Sequence, residues 1–543
     1  MRMIIKNNQF CLKLLCTVAV LFIPFSCTDN FTEINMDKTQ MMQVGPKEYA
    51  ELFTHALHKG LAWSTTDDMS RMSSTLALHN CGYTACGKAS NDQYEQGLGW
   101  QNAGFKDIYV DAVPTLNLIL ESAKREGYTT AYNVALIWRC YLFLLATDVW
   151  GPIPYKEAGS GKENVRYDSQ KDVYYGLFEE LKTAVDALIP QINLNPSLNV
   201  FGNGDPIYYG SVVKWVKFAN TLRLRMAMRI SNVDPTKAKT EAEAAVATGL
   251  LLENNNDNAM FEVKNFAEEG NGMPRMESFY QDVMSTSMES VLKGYQDPRM
   301  QEFWAPVQAS ATNQRFPAEY KSNIGGYHGF PSGADPVEYT YFRAFSKYGP
   351  RFVDGNQLVT PINVMHSAEV CFLKAEGAWR GWNMGGTAKE FYEKGIMLSI
   401  KQWRGSEISD DSIQRYINST LKPVAPEDHP YYDPPMTDIP VQFSDDREKQ
   451  YEQIITQKWI ALFPLCFEAW AEFRRTRLPK LYPKKYTVNG NIDLSRGMIQ
   501  TRCPFAEDEK RANAKEVEKA IQMISGTDLE TIPLWWDINP NGN

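Results

Sequence analysis

Four times along the chain, apolar residues return at helical spacing, stop at a short break, and return again. That repetition leaves few folds open. In the first pair Phe105, Ile108, Tyr109, Ala112, Leu116, Ile119, Leu120 and Ala123 fall on one helical face, and Pro114 is expected to kink or restart the helix. Residues 132–147 are apolar on nearly every side, which predicts an interior helix. The second pair carries Val173, Leu177, Leu181, Ala184, Val185 and Leu188, with Asp168 expected as the cap and Pro190 as the stop. Trp215, Ala219, Leu222 and Met226 mark its partner. Residues 364–382 with 387–403, and 448–463 with 466–475, make the third and fourth pairs. Each pair leaves an apolar face uncovered, and stacking on a neighbour closes it. The expected fold is therefore mostly α, with helical hairpins as the frame near 105–230 and 364–475.

Small residues occupy the positions where helices would touch, and aromatics fill the gaps. Ala368, Phe372, Ala375 and Ala378, followed by Ala388, Phe391, Tyr392 and Ile396, resemble a tetratricopeptide unit. The first helices of the four pairs begin near 105, 168, 364 and 448, so the repeats have no fixed period. Between them lie segments without periodicity, at 191–207, 250–360 and 404–447. Long irregular loops on a rigid frame are where binding residues concentrate, and these are expected to form a large loop-rich subdomain on the ligand side.

Composition excludes several alternatives. With 43% hydrophobic and 22% charged residues, the 543-residue chain is neither disordered nor, at a mean hydropathy of −0.39, a multi-span membrane protein. A formal net charge of −9 disfavours a broad nucleic-acid surface. At the amino terminus Arg2, Lys6 and Lys13 precede an apolar run over 14–25, too short to span a bilayer but shaped like a secretory signal. It ends at Ser26-Cys27, which resembles a bacterial lipobox. Residues 1–26 are therefore expected to be a signal peptide, Cys27 the lipidated first residue, and 27–543 the mature domain. Cys140, Cys371 and Cys466 lie in apolar helical patterns and read as buried. Cys81 and Cys86 could pair in an oxidising compartment.

No catalytic signature stands out. The G-x-S-x-G, H-E-x-x-H and G-x-x-x-x-G-K-[ST] patterns are absent. Two carboxylates suffice for a glycosidase, and the adjacent acids at Asp67-Asp68, Glu268-Glu269, Asp410-Asp411 and Asp445-Asp446 are the candidates. Adjacent acids are ordinarily a solvated face, so no catalytic residue is assigned, and no cofactor or metal ligand is expected, with a structural calcium ion left open. The aromatic residues divide in two. Trp138, Trp215, Trp379, Trp459 and Trp470 lie in helical stripes and are expected in the core. Trp63, Tyr83, Tyr94, Trp100, Trp304, Tyr327, Tyr339 and Tyr341 lie in or beside loops with Gly, Asn and acids nearby. A flat ring suits the apolar face of a sugar, and neighbouring amides and carboxylates accept its hydroxyls. Trp63, Asp67, Asp68, Tyr83, Tyr94, Trp100, Trp304, Tyr327 and Tyr341 are therefore the candidate ligand-binding residues.

Taken in order, these segments resemble the SusD/RagB family, in its SusD-like outer-membrane nutrient-binding lipoprotein branch. The resemblance is carried by Cys27-Thr28-Asp29-Asn30-Phe31-Thr32-Glu33, by Thr147-Asp148-Val149-Trp150-Gly151-Pro152-Ile153-Pro154-Tyr155 and by Asp297-Pro298-Arg299-Met300. It continues through Tyr327-His328-Gly329-Phe330-Pro331-Ser332-Gly333, Ala368 to Gly377, Gln457 to Phe463, and Pro533-Leu534-Trp535-Trp536-Asp537. It implies a SusD-like fold on tetratricopeptide-like units and a lipid anchor in the outer membrane, facing the exterior. It also implies binding of oligosaccharide or polysaccharide nutrients without catalysis, and delivery to a SusC-like TonB-dependent transporter. A peptide ligand, a surface glycosidase and a pure protein adaptor remain the competing readings. Asp148, Gly151 and Pro154 read as structural, a helix stop and turn.

Overall fold

Eleven helices position everything that follows. They are α1 (Tyr49–Thr65), α2 (Val113–Glu126), α3 (Thr129–Trp150), α4 (Gln170–Leu194), α5 (Val212–Arg229), α6 (Pro235–Ala247), α7 (Thr286–Tyr295), α8 (Ser367–Trp379), α9 (Ala388–Arg404), α10 (Arg447–Ala461) and α11 (Cys466–Thr476). The computed structural model describes residues 44–65, 67–82, 91–95, 98–263, 282–308, 316, 318–334, 343–352, 360–427 and 431–538, without the side chains of 62–71, 91 and 98–101. Their boundaries follow local chemistry. The side chain of Ser169 accepts the Asp172 N–H at the start of α4, Asp446 accepts from Glu448 and Lys449 at α10, and Thr387 and Glu390 form a reciprocal capping box at α9. α2 follows a π-helical turn, Asp107–Ala112, carries Pro114 within its first turn, and ends at Gly127 in the left-handed conformation.

The helices stack in sequence order, α2 on α3, α3 on α4, α4 on α5 and α5 on α6, and then α5 bridges to α8, which packs on α9 and α10. α3 is long and apolar enough to cross a membrane, yet it is mostly buried among its neighbours and serves as the central core helix. From Gly45 to Asn543 the chain forms one compact unit. Strands are short among the described residues: Asn80–Cys81 pairs with Val283–Met284, Ile153–Pro154 with Tyr167–Asp168, and Ala259–Phe261 with Ile362–Met365, all antiparallel. The fold is mostly α, as the periodicity requires.

The frame is threaded by buried charges. On α5, Arg225 grips Glu369 of α8 at 2.7 and 2.6 Å, and Arg229 reaches Glu468 of α11 at 2.6 Å and Glu472 at 3.1 Å. On α11, Arg475 binds Glu376 of α8 at 2.7 and 2.6 Å, while Lys458 of α10 meets Glu472 at 2.8 Å. Burial pushes the Glu472 carboxyl up, but Arg475, Lys458 and Arg229 outweigh it and hold it well below the carboxylate range. Such a network adds little net stability over an apolar core, but removing one member strands its partner in a low dielectric. Its geometric effect is to admit one register between α5, α8, α10 and α11.

Residues in the segments that carry the resemblance tie the frame together. Asp148 accepts from Tyr174 Oη at 2.6 Å and Trp536 Nε1 at 2.9 Å, joining α3, α4 and the carboxyl-terminal segment. Gly151 ends α3 at φ 89°, ψ −115°, where an L side chain is strained, and a Cβ there would also press on Leu534 at 3.2 Å. Asp297 and Arg299 form a fully buried pair, and Arg299 also donates to Gln457 at 2.8 Å and Ser399 at 2.9 Å. Trp459 donates to the Ala77 carbonyl at 2.9 Å. These positions hold the scaffold.

Three expectations need correction, and one open question is answered. The cap of α4 is Ser169, because Asp168 instead faces Lys156, accepting its N–H at 3.0 Å. Pro190 does not stop α4, which runs on to Leu194 as buried Ile192 and the Thr130–Gln191 hydrogen bond of 2.6 Å hold the last turn. Trp379 is half-buried, stacked on Tyr451 at 4.5 Å under Arg447, whereas Trp138, Trp215, Trp459 and Trp470 are core residues. Cys81 is a free buried thiol, its Sγ 2.9 Å from the Phe330 carbonyl, so it forms no disulfide. Cys86 lies outside the described residues. Cys140, Cys371 and Cys466 are buried and free.

Candidate ligand-binding site

Loops far apart in sequence converge beside the amino-terminal end of α7. The turn Tyr327–Ala334 lies against α7 at Gly329, whose N–H donates to Glu289 Oε2 at 2.8 Å. A Cβ on Gly329 would stand 2.3 Å from the Ser285 carbonyl, so only glycine permits this approach. Further along, the Gly333 N–H donates to Asp92 at 2.8 Å, and Asp92 pairs with Lys484 at 2.7 Å in a buried contact. Gln93 Nε2 donates to the Ala334 carbonyl at 3.1 Å, and the Gln93 carbonyl accepts from Val488 at 3.2 Å. Under the turn, Cys81, Val283, Phe330, Ala344 and Phe345 make a small apolar cluster. Segments 92–94, 327–334 and 484–489 thus form one hydrogen-bonded junction on an apolar floor.

Tyrosines stand at the surface of this junction. The Lys485 N–H donates to the Ser332 carbonyl at 2.8 Å, and its ammonium lies 4.8 Å from the centre of the Tyr431 ring and pairs with Asp433. Tyr482 Oη donates to the Pro434 carbonyl at 2.9 Å, which ties the same loop down. Tyr431, Tyr432 and Tyr486 are exposed, Tyr432 by 71%. Tyr432 has φ 52°, an uncommon conformation for a non-glycine residue and one that recurs at ligand sites. Amphipathic rings beside an ammonium, a carboxylate and loop carbonyls offer stacking surfaces and hydrogen-bond partners to one polyhydroxylated ligand.

The predicted site residues separate clearly. Tyr327 is half-buried on the junction turn, its phenol pKa raised by burial and by the Glu302 carboxylate. Tyr94 also belongs to the junction, but from beneath: it is 5% exposed, under Lys484, and burial and Asp92 push its phenol up. Trp304 is fully buried, stacked on Tyr348 at 5.3 Å and packed on Phe463, so it is a core residue and not an open platform. The side chains of Trp63, Asp67, Asp68 and Trp100 lie outside the described residues, as do Cys27, Tyr83, Tyr339 and Tyr341. Tyr431, Tyr432, Lys485 and Tyr486 were not foreseen. The adjacent rings of Tyr431-Tyr432-Asp433-Pro434-Pro435, in a proline-rich stretch with no helical period, were the available signal.

The acid pairs offer no hydrolytic site among the described residues. Asp410 and Asp411 open a helix behind the Ser409 cap, and Asp446 caps α10, all solvated. Glu268 and Glu269 lie outside the described residues. Within the junction, Glu289 and Glu427 are both paired with Lys293, at 2.9 and 3.0 Å.

A frame of stacked helical hairpins bearing a loop-built, tyrosine-lined surface defines a class of ligand-binding protein. Residues 69–537 match the SusD-like family model, described as Susd and RagB outer membrane lipoprotein, and the chain belongs to that family. Among solved structures it is similar to a chitin-binding SusD homologue from Flavobacterium johnsoniae, at 30% identity and TM-score 0.79, over 90% of this chain and 99% of that one. A SusD homologue from Bacteroides vulgatus matches at 28% identity and TM-score 0.77, over 92% and 99%. A SusD-like protein from Bacteroides thetaiotaomicron matches at 29% identity and TM-score 0.76, over 90% and 100%. No curated protein matches the chain.

Proposed function

We propose that this SusD-like protein captures oligosaccharide at the cell surface and passes it, without cleavage, to a SusC-like TonB-dependent transporter. The observation that carries the reading is the exposed tyrosine group, Tyr431, Tyr432 and Tyr486, held on a hydrogen-bonded loop junction in a chain of this family. The chitin-binding relative makes N-acetylated glycans the first ligands to try. Cys27 supplies the lipid anchor, and two or three acyl chains hold the protein in the outer membrane, facing outward, where one would not.

Calorimetric titration of the full chain in detergent, against chitin oligosaccharides, other oligosaccharides and short peptides, tests the proposal. Saturable binding to one glycan class with no new reducing ends is the expected result. Saturation by a peptide alone, or release of reducing ends, overturns it.

A further inference from the structure

A second feature lies at the base of the junction. Glu289 of α7, His328 of the turn and Glu427 of the loop before residue 428 bring one ligand atom each to within 4.8 Å of one another. His328 is 5% exposed, and its buried Nδ1 makes no hydrogen bond although it lies 3.4 Å from Glu427 Oε2 and 3.9 Å from Glu289 Oε1. On its other side the ring lies against Gly326, where an added Cβ would stand only 2.5 Å from Nε2. A neutral imidazole presents a lone pair, the form that binds metal. One polar atom is therefore buried, without a hydrogen bond, and placed between two carboxylates.

We propose that Glu289, His328 and Glu427 form a binding site for a zinc-class divalent metal ion, with Lys293 as the counter-cation that the metal displaces. One imidazole nitrogen and two carboxylates, with water in the fourth position, suit zinc. Calcium takes six to eight oxygen ligands, more than these side chains offer. Two carboxylates neutralise the dication, and Lys293, already 25% exposed on a flexible stem, swings to solvent. The bound ion clamps α7, the Tyr327–Gly333 turn and the loop leading to Tyr431. The site stands independently of the glycan reading, because its test uses the metal alone.

The experiment is equilibrium dialysis of the full chain, in detergent and without a polyhistidine tag, against zinc and against calcium. One zinc per chain is expected, undisplaced by calcium. Glu427→Gln, at a side chain 61% exposed and so safe for folding, should weaken zinc at least about tenfold, as should His328→Gln. Lys293→Met should tighten it, since it removes the competing cation. A purely structural ion cluster predicts no zinc in Lys293→Met; the metal-free variant is destabilised under either reading, because buried Glu289 loses its cation. Absence of saturable zinc, displacement by calcium, or unchanged affinity in both Glu427→Gln and His328→Gln overturns the proposal.

Discussion

The helical frame and the loop junction use polar and aromatic groups in opposite ways. In the frame, Arg225, Arg229, Lys458 and Arg475 are buried and matched to carboxylates on other helices, and Trp138, Trp215 and Trp470 are enclosed. In the junction the inner charges, Asp92 with Lys484, anchor loop backbone, and the outer rings of Tyr431, Tyr432 and Tyr486 face solvent. The contrast separates stability from recognition. Breaking a buried pair in the frame should destabilise the molecule and leave ligand chemistry untouched in what remains folded, whereas removing an outer ring should weaken binding and leave stability unchanged.

The strongest test of that separation is Arg475→Met, which takes from buried Glu376 its two-bonded partner, leaving it Arg380, and from Glu472 one of three cations. It should cost about 3–5 kcal/mol, read by urea denaturation; a loss under 1 kcal/mol would show the network to be solvated. Acid comes next. His79 and His366 are buried in the frame with pKa values lowered to about 3 and about 4, chiefly by burial. Below pH 6.5 the unfolded chain takes up protons that the folded one refuses. Their contribution is therefore complete above pH 6.5 and lost as pH falls toward 4, by about 2.7 kcal/mol per unit for the two together. His79→Gln should flatten that slope, and an unchanged slope would count against it. Asp148→Asn weakens the acceptor shared by Tyr174 and Trp536 and should cost about 1.5–3 kcal/mol. Smallest in stability is Tyr432→Ala, expected within about 0.5 kcal/mol of the parent because the side chain is exposed.

The frame was legible because helix burial writes a period into the sequence. Leu177, Leu181 and Leu188 of α4 and Trp215, Ala219, Leu222 and Met226 of α5 lie where their spacing put them. The charges threading it were not. Arg225 with Arg229, and Glu468 with Glu472, recur four residues apart, and the same spacing describes a solvated helix face; only the fold shows that they meet. The placement of the candidate residues was not legible. Tyr327 and Trp304 were both chosen for loop-like surroundings, yet Tyr327 is half-buried on the junction turn and Trp304 is core. Tyr486 is brought toward Tyr431 by the backbone bond from Lys485 to Ser332 and the packing of Lys485 on Tyr431. Contacts across 50 residues of aperiodic chain leave no local trace.

The most direct measurement compares glycan affinity and unfolding midpoint in the parent and in a Tyr431→Ala, Tyr432→Ala, Tyr486→Ala variant of the full chain. The account predicts an unchanged midpoint with affinity for the bound oligosaccharide reduced by at least about tenfold, the effect of losing stacking worth 1.4 kcal/mol. Undiminished affinity in a folded variant would contradict it and move the binding surface away from this junction.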